Sequence, residues 1–295
     1  MTKYLSSHLQ GLKKALGINL RCSYGRFSIQ LPPDHQLPVY QRDHRLYDRF
    51  LPHLVKYIAP DSTVIDVGAN CGDSVAAMYS ANRRVRYVCI EPDNTFFHFL
   101  KRNALEIKKT DDNANFALYQ SFIGKSVSDA TLVGSGGSKH AVISADSSVR
   151  ADRVSSQTLD RLVSETEITG VRLLKSDVDG FDYDVIDSAE ATIKSETPIL
   201  FFECQMDNPE QKSGYERTIG RLREMGYENW VVFDNFGEVV LQTKGVDSIF
   251  QLFEYVWRQN SKRSTRTIYY YDILAATNKD ETLISQIIGD YLSIE

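Results

Sequence analysis

Apolar positions along the chain switch repeatedly between the period of a helix and that of a strand. Leu46, Phe50, Leu54 and Ile58 recur every four residues, one face of a helix that Pro52 restarts or kinks. "STVIDVG" is a short continuous apolar run, the mark of a buried strand. Residues 74–82 return to helix, "VRYVCIEP" is a second strand ending at Pro92, "TFFHFLKRNALEI" a helix, and "NANFALYQSFIG" a third strand. Further on, "QTLDRLVSETEI" predicts a helix capped by Thr158 or Ser156. "VRLLKSDVDG" predicts a fourth strand running into a turn, "YDVIDSAEATI" a helix and "PILFFEC" a fifth strand. Tyr215, Ile219, Leu222 and Met225 form a helical stripe closed by Gly226. Two late strands, "NWVVFDNFGEVV" and "TIYYYDILAAT", enclose a helical "SIFQLFEYVWRQ".

Strands alternating with helices predict an α/β fold, a doubly wound and mostly parallel Rossmann-like sheet of about seven strands. Residues 46–295 are assigned to this domain and residues 1–45 to an N-terminal extension. The extension begins with Leu5, Leu9, Leu12 and Leu16 at helical spacing. Its proline-bearing "RFSIQLPPDHQLPVYQRDH" is expected to wrap the domain or to cover its substrate side. Residues 125–157 are rich in Ser, Gly, Asp and Val, and "ATLV" and "HAVISA" flank a glycine-serine stretch, the pattern of a hairpin or flap.

Composition narrows the partners. A net charge of −5 and a pI near 5.7 give no ground for nucleic-acid binding. No apolar run reaches the roughly 18 residues of a membrane-spanning helix, and the start lacks the apolar core of a secretory signal. Cys22, Cys71, Cys89 and Cys204 form no C-x-x-C pair, which suits reduced thiols and a cytoplasmic location. The first helix, with Lys13 and Lys14 beside its leucines, is expected to pack on its own domain. A peripheral membrane contact or a homo-oligomer interface is its other use.

Chemistry enters through the acids. Asp66, Glu91, Asp177, Asp179 and Glu203 all fall at or just past the ends of predicted core strands. In a doubly wound sheet that rim is where ligands bind. The first candidate loop is "VIDVGANCGDS". A P-loop needs G-x-x-x-x-G-K-[ST], but Gly68 and Gly72 are four apart and no lysine follows. A dinucleotide turn wants G-x-G-x-x-G, and Asn70 stands at the second glycine, with Asp66 ill placed beside a pyrophosphate. S-adenosylmethionine has no phosphate and carries a sulfonium and an ammonium, which an acid at the end of the first strand suits. Glu91 follows Gly68 by 23 residues and is placed to accept from both ribose hydroxyls. The candidate cofactor set is therefore Asp66, Gly68, Asn70, Gly72, Asp73, Ser74, Glu91, Pro92 and Ser121.

Four segments, "VIDVGANCGDS", "CIEPD", "TLDRLV" and "LLKSDVDGFDYDVI…PILFFEC", resemble the FkbM family of S-adenosylmethionine-dependent methyltransferases over roughly residues 60–205. The family-specific part is K-x-D-x-[ED]-G followed by an "ilfFE" strand, met here by Lys175, Asp177, Asp179, Gly180 and Glu203. Asp179 stands where the family more usually has Glu. The resemblance implies O-methylation of a small-molecule or glycan acceptor bearing a hydroxyl, since many relatives act on sugars or polyketide hydroxyls.

An alcohol is a poor nucleophile near neutral pH, so transfer to it needs proton removal, for which Asp177, Asp179 and Lys175 are the catalytic candidates. Asp177, Asp179 and Glu203 form the alternative candidate set for Mg²⁺, which would acidify the hydroxyl. Asp182 and Asp184 read as acids favouring a helix start. The competing functions are an NAD-dependent oxidoreductase and a methyltransferase-fold binding module without turnover.

Overall fold

The computed structural model describes residues 16–125, 130–133, 140–143, 155–262 and 267–294. Strands β1 (Leu20–Tyr24) and β2 (Phe27–Leu31) pair antiparallel around Gly25. Helix α1 (Leu37–Asp43) and the short helix α2 (Phe50–Leu54) follow, then β3 (Thr63–Val67), α3 (Asp73–Ala81), β4 (Arg86–Ile90), α4 (Asn94–Thr110) and β5 (Phe116–Tyr119). The chain continues through β6 (Ser121–Ile123), the antiparallel pair β7 (Ala130–Val133) and β8 (His140–Ile143), β9 (Ser155–Gln157) and α5 (Leu159–Glu165). Its last part runs β10 (Val171–Ser176), α6 (Asp182–Asp187), α7 (Glu190–Glu196), β11 (Ile199–Gln205), α8 (Pro209–Glu224), β12 (Tyr227–Asp234), β13 (Val239–Thr243), α9 (Asp247–Lys262), β14 (Tyr270–Thr277) and α10 (Glu281–Leu292).

Eight strands form the main sheet in the order β13-β12-β14-β11-β10-β3-β4-β5, one more than the sequence predicts. Pairing is parallel from β5 to β11, whereas β14 runs antiparallel to both β11 and β12, and β13 antiparallel to β12. From β3 the chain winds outward through β4 to β5, and from β10 it winds the other way to β11. The switch point, where such sheets bind ligands, therefore lies between the carboxyl ends of β3 and β10.

Alternation along the strands builds two cores. Val64, Tyr87, Leu173, Ile199, Phe201, Phe233 and Leu274 face one side, under the N-terminal hairpin, α2, α3 and α10. Ile65, Val88, Leu174, Leu200, Phe202, Trp230 and Ile273 face the other, with residues of α5, α6, α8 and α9. Each core strand is thus buried on both faces, which is why the sequence shows continuous apolar runs there.

Four predicted elements divide, among them the strand expected over "NWVVFDNFGEVV", which turns after Asp234 and becomes β12 and β13. Only Phe50–Leu54 of the expected helix at 44–58 is α-helical, followed by a 3₁₀ turn at Val55–Tyr57. Asp48, in the left-handed region at φ 55°, breaks the helical path just before it. The expected third strand splits at Gln120. Its second piece, β6, leaves the main sheet to pair with β9. The helix expected over "YDVIDSAEATI" becomes α6 and α7, parted at Ser188, whose hydroxyl bonds Val185 O at 2.7 Å and accepts from Leu159 N at 3.1 Å. The flap strands pair as the sequence suggests. The helix expected at the start of the chain lies outside the described residues.

Asn103 fixes the hairpin to the domain. Its carboxamide accepts from Gln30 N at 2.8 Å and donates to Gln30 O and Cys71 O, each at 2.8 Å, so that β2, α4 and the β3–α3 loop share one buried side chain. Asn103→Leu strands these backbone groups without partners, at about 1–3 kcal/mol per buried group left unpaired. Urea unfolding is expected to show a lower midpoint with an unchanged slope.

Candidate active site

The site grows out of the sheet's alternation. On the face carrying Val64 and Leu173, the next inward positions are Asp66 and Lys175, which stand opposite each other in the β3–β10 register. Both are buried, and Lys175 Nζ lies 2.8 Å from Asp66 Oδ1. Ser74, on the first turn of α3, donates to Asp66 Oδ2 at 2.6 Å, and Lys175 also donates to Gly68 O at 3.2 Å. Burial raises the Asp66 carboxyl above its ordinary value, against the lowering effect of Lys175 and Ser74. For Lys175 burial is the largest influence and disfavours the ammonium, but Asp66 and Asp177 together outweigh it and push the group up. The lysine stays charged. The cation that Asp66 meets among the described residues is the protein's own Lys175.

Past β3 the chain turns through Gly68 (φ 77°), Asn70 (φ 46°) and Gly72 (φ 80°) into α3. A Cβ at Gly68 would lie 1.9 Å from the carbonyl oxygen of Asp177. Glycine is needed there for the close approach of two strand ends, so substitution disturbs the fold as well as any ligand. At the end of β4, Glu91 turns back to this loop. Its Oε2 accepts from Asn70 N and its Oε1 from Asp93 N, both at 2.8 Å. Burial raises this carboxyl to about 7, with the two amide donors pulling the other way. A carboxylate has about four acceptor sites, which leaves two for a ligand. Beside it a narrow slot of about 60 Å³ is lined by Pro92, Phe96, Phe122, Ile123 and Ser121. The apolar side chains and the carboxylate at its end are of the chemistry that meets a flat heterocycle and a vicinal diol.

A second, wider cleft of about 890 Å³ opens on the same rim, roofed by residues of the N-terminal segment from His35 to Leu51. Gly68, Asn70, Asp177, Asp179 and Phe181 line both the slot and the cleft. Asp177 lies one residue beyond β10, held by Asp177 N donating to Val67 O at 3.1 Å. Its side chain is half exposed, with Oδ2 3.5 Å from Lys175 Nζ. Asp179 follows in the left-handed region (φ 53°), and the segment after Ser176 is a turn. Asp182 closes that turn from within, accepting from Ser176 Oγ at 2.6 Å and Val178 N at 3.1 Å. It is a structural acid, raised to about 7 by burial and by Asp177.

Farther along the cleft, Glu203 on β11 stands directly opposite Asp272 on β14. Facing like charges oppose pairing. Burial first, and then Asp177 with the neighbouring acids, hold both carboxyls well above the ordinary range. Asp48 lines the cleft at an exposed position, with Asp73 and Asp177 as acidic neighbours and Lys175 and Arg49 as cationic ones.

Of the expected residues, Asp66 and Lys175 form the buried pair, to which Ser74 donates. Glu91, Pro92 and Ser121 line the slot, and Asp73, Asp177, Asp179 and Glu203 line the cleft. Gly72 serves packing, since a Cβ there would meet Leu100 Cδ1 at 2.8 Å. The Mg²⁺ expectation is not supported. Among the described residues no group of three or more His, Cys, Asp or Glu is arranged to hold a metal ion. Asp177 faces Lys175, Asp179 sits in the turn, and Glu203 lies back on the sheet against Asp272. Sequence reasoning missed Asp48, Asp272 and His35. Asp272 carried a signal, an acid within the apolar run "YYYDILAA".

A family model for the methyltransferase FkbM domain matches residues 66–228. The chain belongs to the FkbM methyltransferase family. No curated protein sequence matches it. Among solved structures it is similar to the methyltransferase FkbM from Methylobacillus flagellatus KT, with 13% identity and a TM-score of 0.40 over 73% of this chain and 43% of that one. It is also similar to an S-adenosylmethionine-dependent methyltransferase from Agrobacterium tumefaciens, with 8% identity and a TM-score of 0.45 over 88% of this chain and 70% of that one. A third is Aeropyrum pernix fibrillarin, solved with natively bound S-adenosylmethionine, at 14% identity and a TM-score of 0.37 over 75% of this chain and 68% of that one. The chain thus spans less than half of the Methylobacillus protein. At these scores the likenesses add nothing to what the topology already gives. Among the described residues no helix is long and apolar enough to cross a membrane.

The FkbM-family site rests on the buried ion pair. Lys175→Met takes from the buried Asp66 its cationic partner, and is expected to cost about 3–5 kcal/mol. The double variant with Asp66→Asn should recover part of that loss in the same denaturant titration, since the two side chains act as one unit.

Proposed function

We propose that this FkbM-family chain transfers the methyl group of S-adenosylmethionine to a hydroxyl of a sugar, glycan or glycan precursor. The reading rests on one observation above all: the narrow slot and the wide cleft share a wall, and the acid Asp177 is in it. A donor bound in one and an acceptor bound in the other meet at that wall.

S-adenosylmethionine, when bound, supplies an electrophilic methyl group. Glu91 receives hydroxyl hydrogen bonds on its two free acceptor sites, while Phe96, Phe122 and Ile123 exclude water from the slot. Asp177 takes the proton of the acceptor hydroxyl as general base. Lys175 holds Asp177 in place across 3.5 Å and is assigned a positioning role, not a direct one. Asp179 offers a second carboxylate at the shared wall to orient the acceptor. The cleft favours a hydroxyl-rich acceptor because carboxylates line it together with the rings of Tyr40, Tyr47, Phe236 and Tyr270. A reaction of this kind needs no nicotinamide, and the loop departs from the dinucleotide pattern at Asn70.

Two outcomes are expected. With labelled S-adenosylmethionine and a turned-over acceptor, Asp177→Asn should lower the rate about 10²–10⁴-fold, while affinity for S-adenosylhomocysteine stays within a few-fold. Unchanged turnover would remove Asp177 from the chemistry. The second outcome follows from Glu91. Ligand hydroxyls donate to its ionised form, so binding lowers its pKa from about 7 and releases a proton. Affinity for S-adenosylhomocysteine should therefore rise with pH up to about 7, by at most tenfold per unit, and then level off. Affinity that is flat or falls over that range would contradict the role given to Glu91.

A further inference from the structure

The cleft is acidic beyond what its chemistry needs. Asp48, Asp73, Asp177, Glu203, Glu210 and Asp272 line it, against Lys175 as the one lysine or arginine and His35 as the one histidine among the described lining residues. Lys175 is already engaged with Asp66 at 2.8 Å, and His35 faces Asp73 at 3.8 Å. Among the described residues lining the cleft, no cationic side chain forms an ion pair with Glu203 or Asp272.

A second observation is independent of the acid count. Glu203 is 5% exposed, yet it lines the cleft. Its Oε1 is buried and has no hydrogen-bond partner among the described residues. A buried carboxylate oxygen without a donor costs free energy unless something supplies one. The cross-strand register adds to this cost, because Glu203 is held directly opposite Asp272. The core does not require acids at this level of the sheet, since Phe201 and Leu274, one step inward on the same strands, are apolar. Two opposed carboxylates at the cleft, one of them partnerless, are arranged for a ligand that brings both hydrogen-bond donors and positive charge. An ammonium group does so, with three donors and a full charge, whereas a hydroxyl donates once and leaves the charge uncompensated.

We propose that the acceptor is an amino-bearing polyol, an amino sugar or aminocyclitol, whose ammonium group is held between Glu203 and Asp272 while its hydroxyl reaches the shared wall at Asp177. This rests on the function proposed above and narrows its substrate class. The nearby aromatic rings of Phe201 and Tyr270 give the ammonium a second kind of partner in the same end of the cleft. The amine is a recognition group here, and the bond to the methyl group forms at oxygen.

The test uses the full chain saturated with S-adenosylhomocysteine and two matched probes: a β-1,4-linked glucosamine tetramer with free amines, and its fully N-acetylated counterpart. Isothermal titration is expected to show at least tenfold tighter binding of the free-amine tetramer, weakening as salt is raised. Glu203→Gln should remove most of that preference while leaving S-adenosylhomocysteine affinity unchanged. Asp272→Asn, checked for folding by circular dichroism, should do the same and guards against misfolding of the first variant. Equal binding of the two probes, or tighter binding of the N-acetylated one, overturns the proposal. So does a preference that survives both substitutions. Failure of S-adenosylhomocysteine itself to bind would instead count against the methyltransferase reading, so the two failures are distinguishable.

Discussion

The rest of the site depends on a buried ion pair between neighbouring strands. Asp66 and Lys175 are cross-strand partners at the point where the sheet changes its winding direction, and both are removed from water. Isolated, either charge would be expensive at that depth; together, with Ser74 completing the carboxylate, they are tolerable. The pair ties the glycine loop after β3 to the acidic turn after β10. Lys175 reaches the backbone of the first through Gly68 O and the side chain of the second through Asp177. Gly68 then permits the two loops to pass at a distance no other residue allows. Slot, shared wall and cleft all follow from that junction.

Charge is distributed unevenly around it. On the slot side, a single carboxylate, Glu91, is held by two backbone amides and surrounded by apolar side chains. On the cleft side, several carboxylates crowd with little compensation, and burial and mutual repulsion raise Glu203 and Asp272 together. Perturbed acids clustered in a concave rim are a mark of functional sites. The contrast suits a ligand of two parts, one flat and largely apolar, the other polar and donor-rich.

Much of this was legible in the sequence because strands that are buried on both faces leave continuous apolar runs, and an acid inside such a run is conspicuous. Asp66, Glu91, Asp177 and Glu203 were found in that way, and all four line or underpin the site. What sequence could not give was pairing. Nothing in "VIDVG" or "LLKSD" says that Asp66 and Lys175 face each other, since that depends on register between strands more than 100 residues apart. For the same reason sequence does not say whether Asp177, Asp179 and Glu203 converge, and among the described residues they form no metal-holding group. Other misses were local. The alternation around Gly25 in "LRCSYGRFSIQL" is a hairpin pattern, and Ile284, Ile287, Ile288 and Tyr291 space a helix face in "LISQIIGDYL", but neither was read as an element. Asp48 had no signal in sequence, because its place depends on a left-handed residue that breaks the expected helix.

The claim that one junction joins a donor slot to an acceptor cleft is tested most directly by hydrogen exchange with and without S-adenosylhomocysteine. Amides of the glycine loop from Gly68 to Ser74, of Asp93 beside Glu91 and of Phe122 and Ile123 should gain protection, while those of β12 and β13 on the far side of the sheet should not. Protection confined to other segments, or the same pattern produced by NAD in place of S-adenosylhomocysteine, would contradict the account.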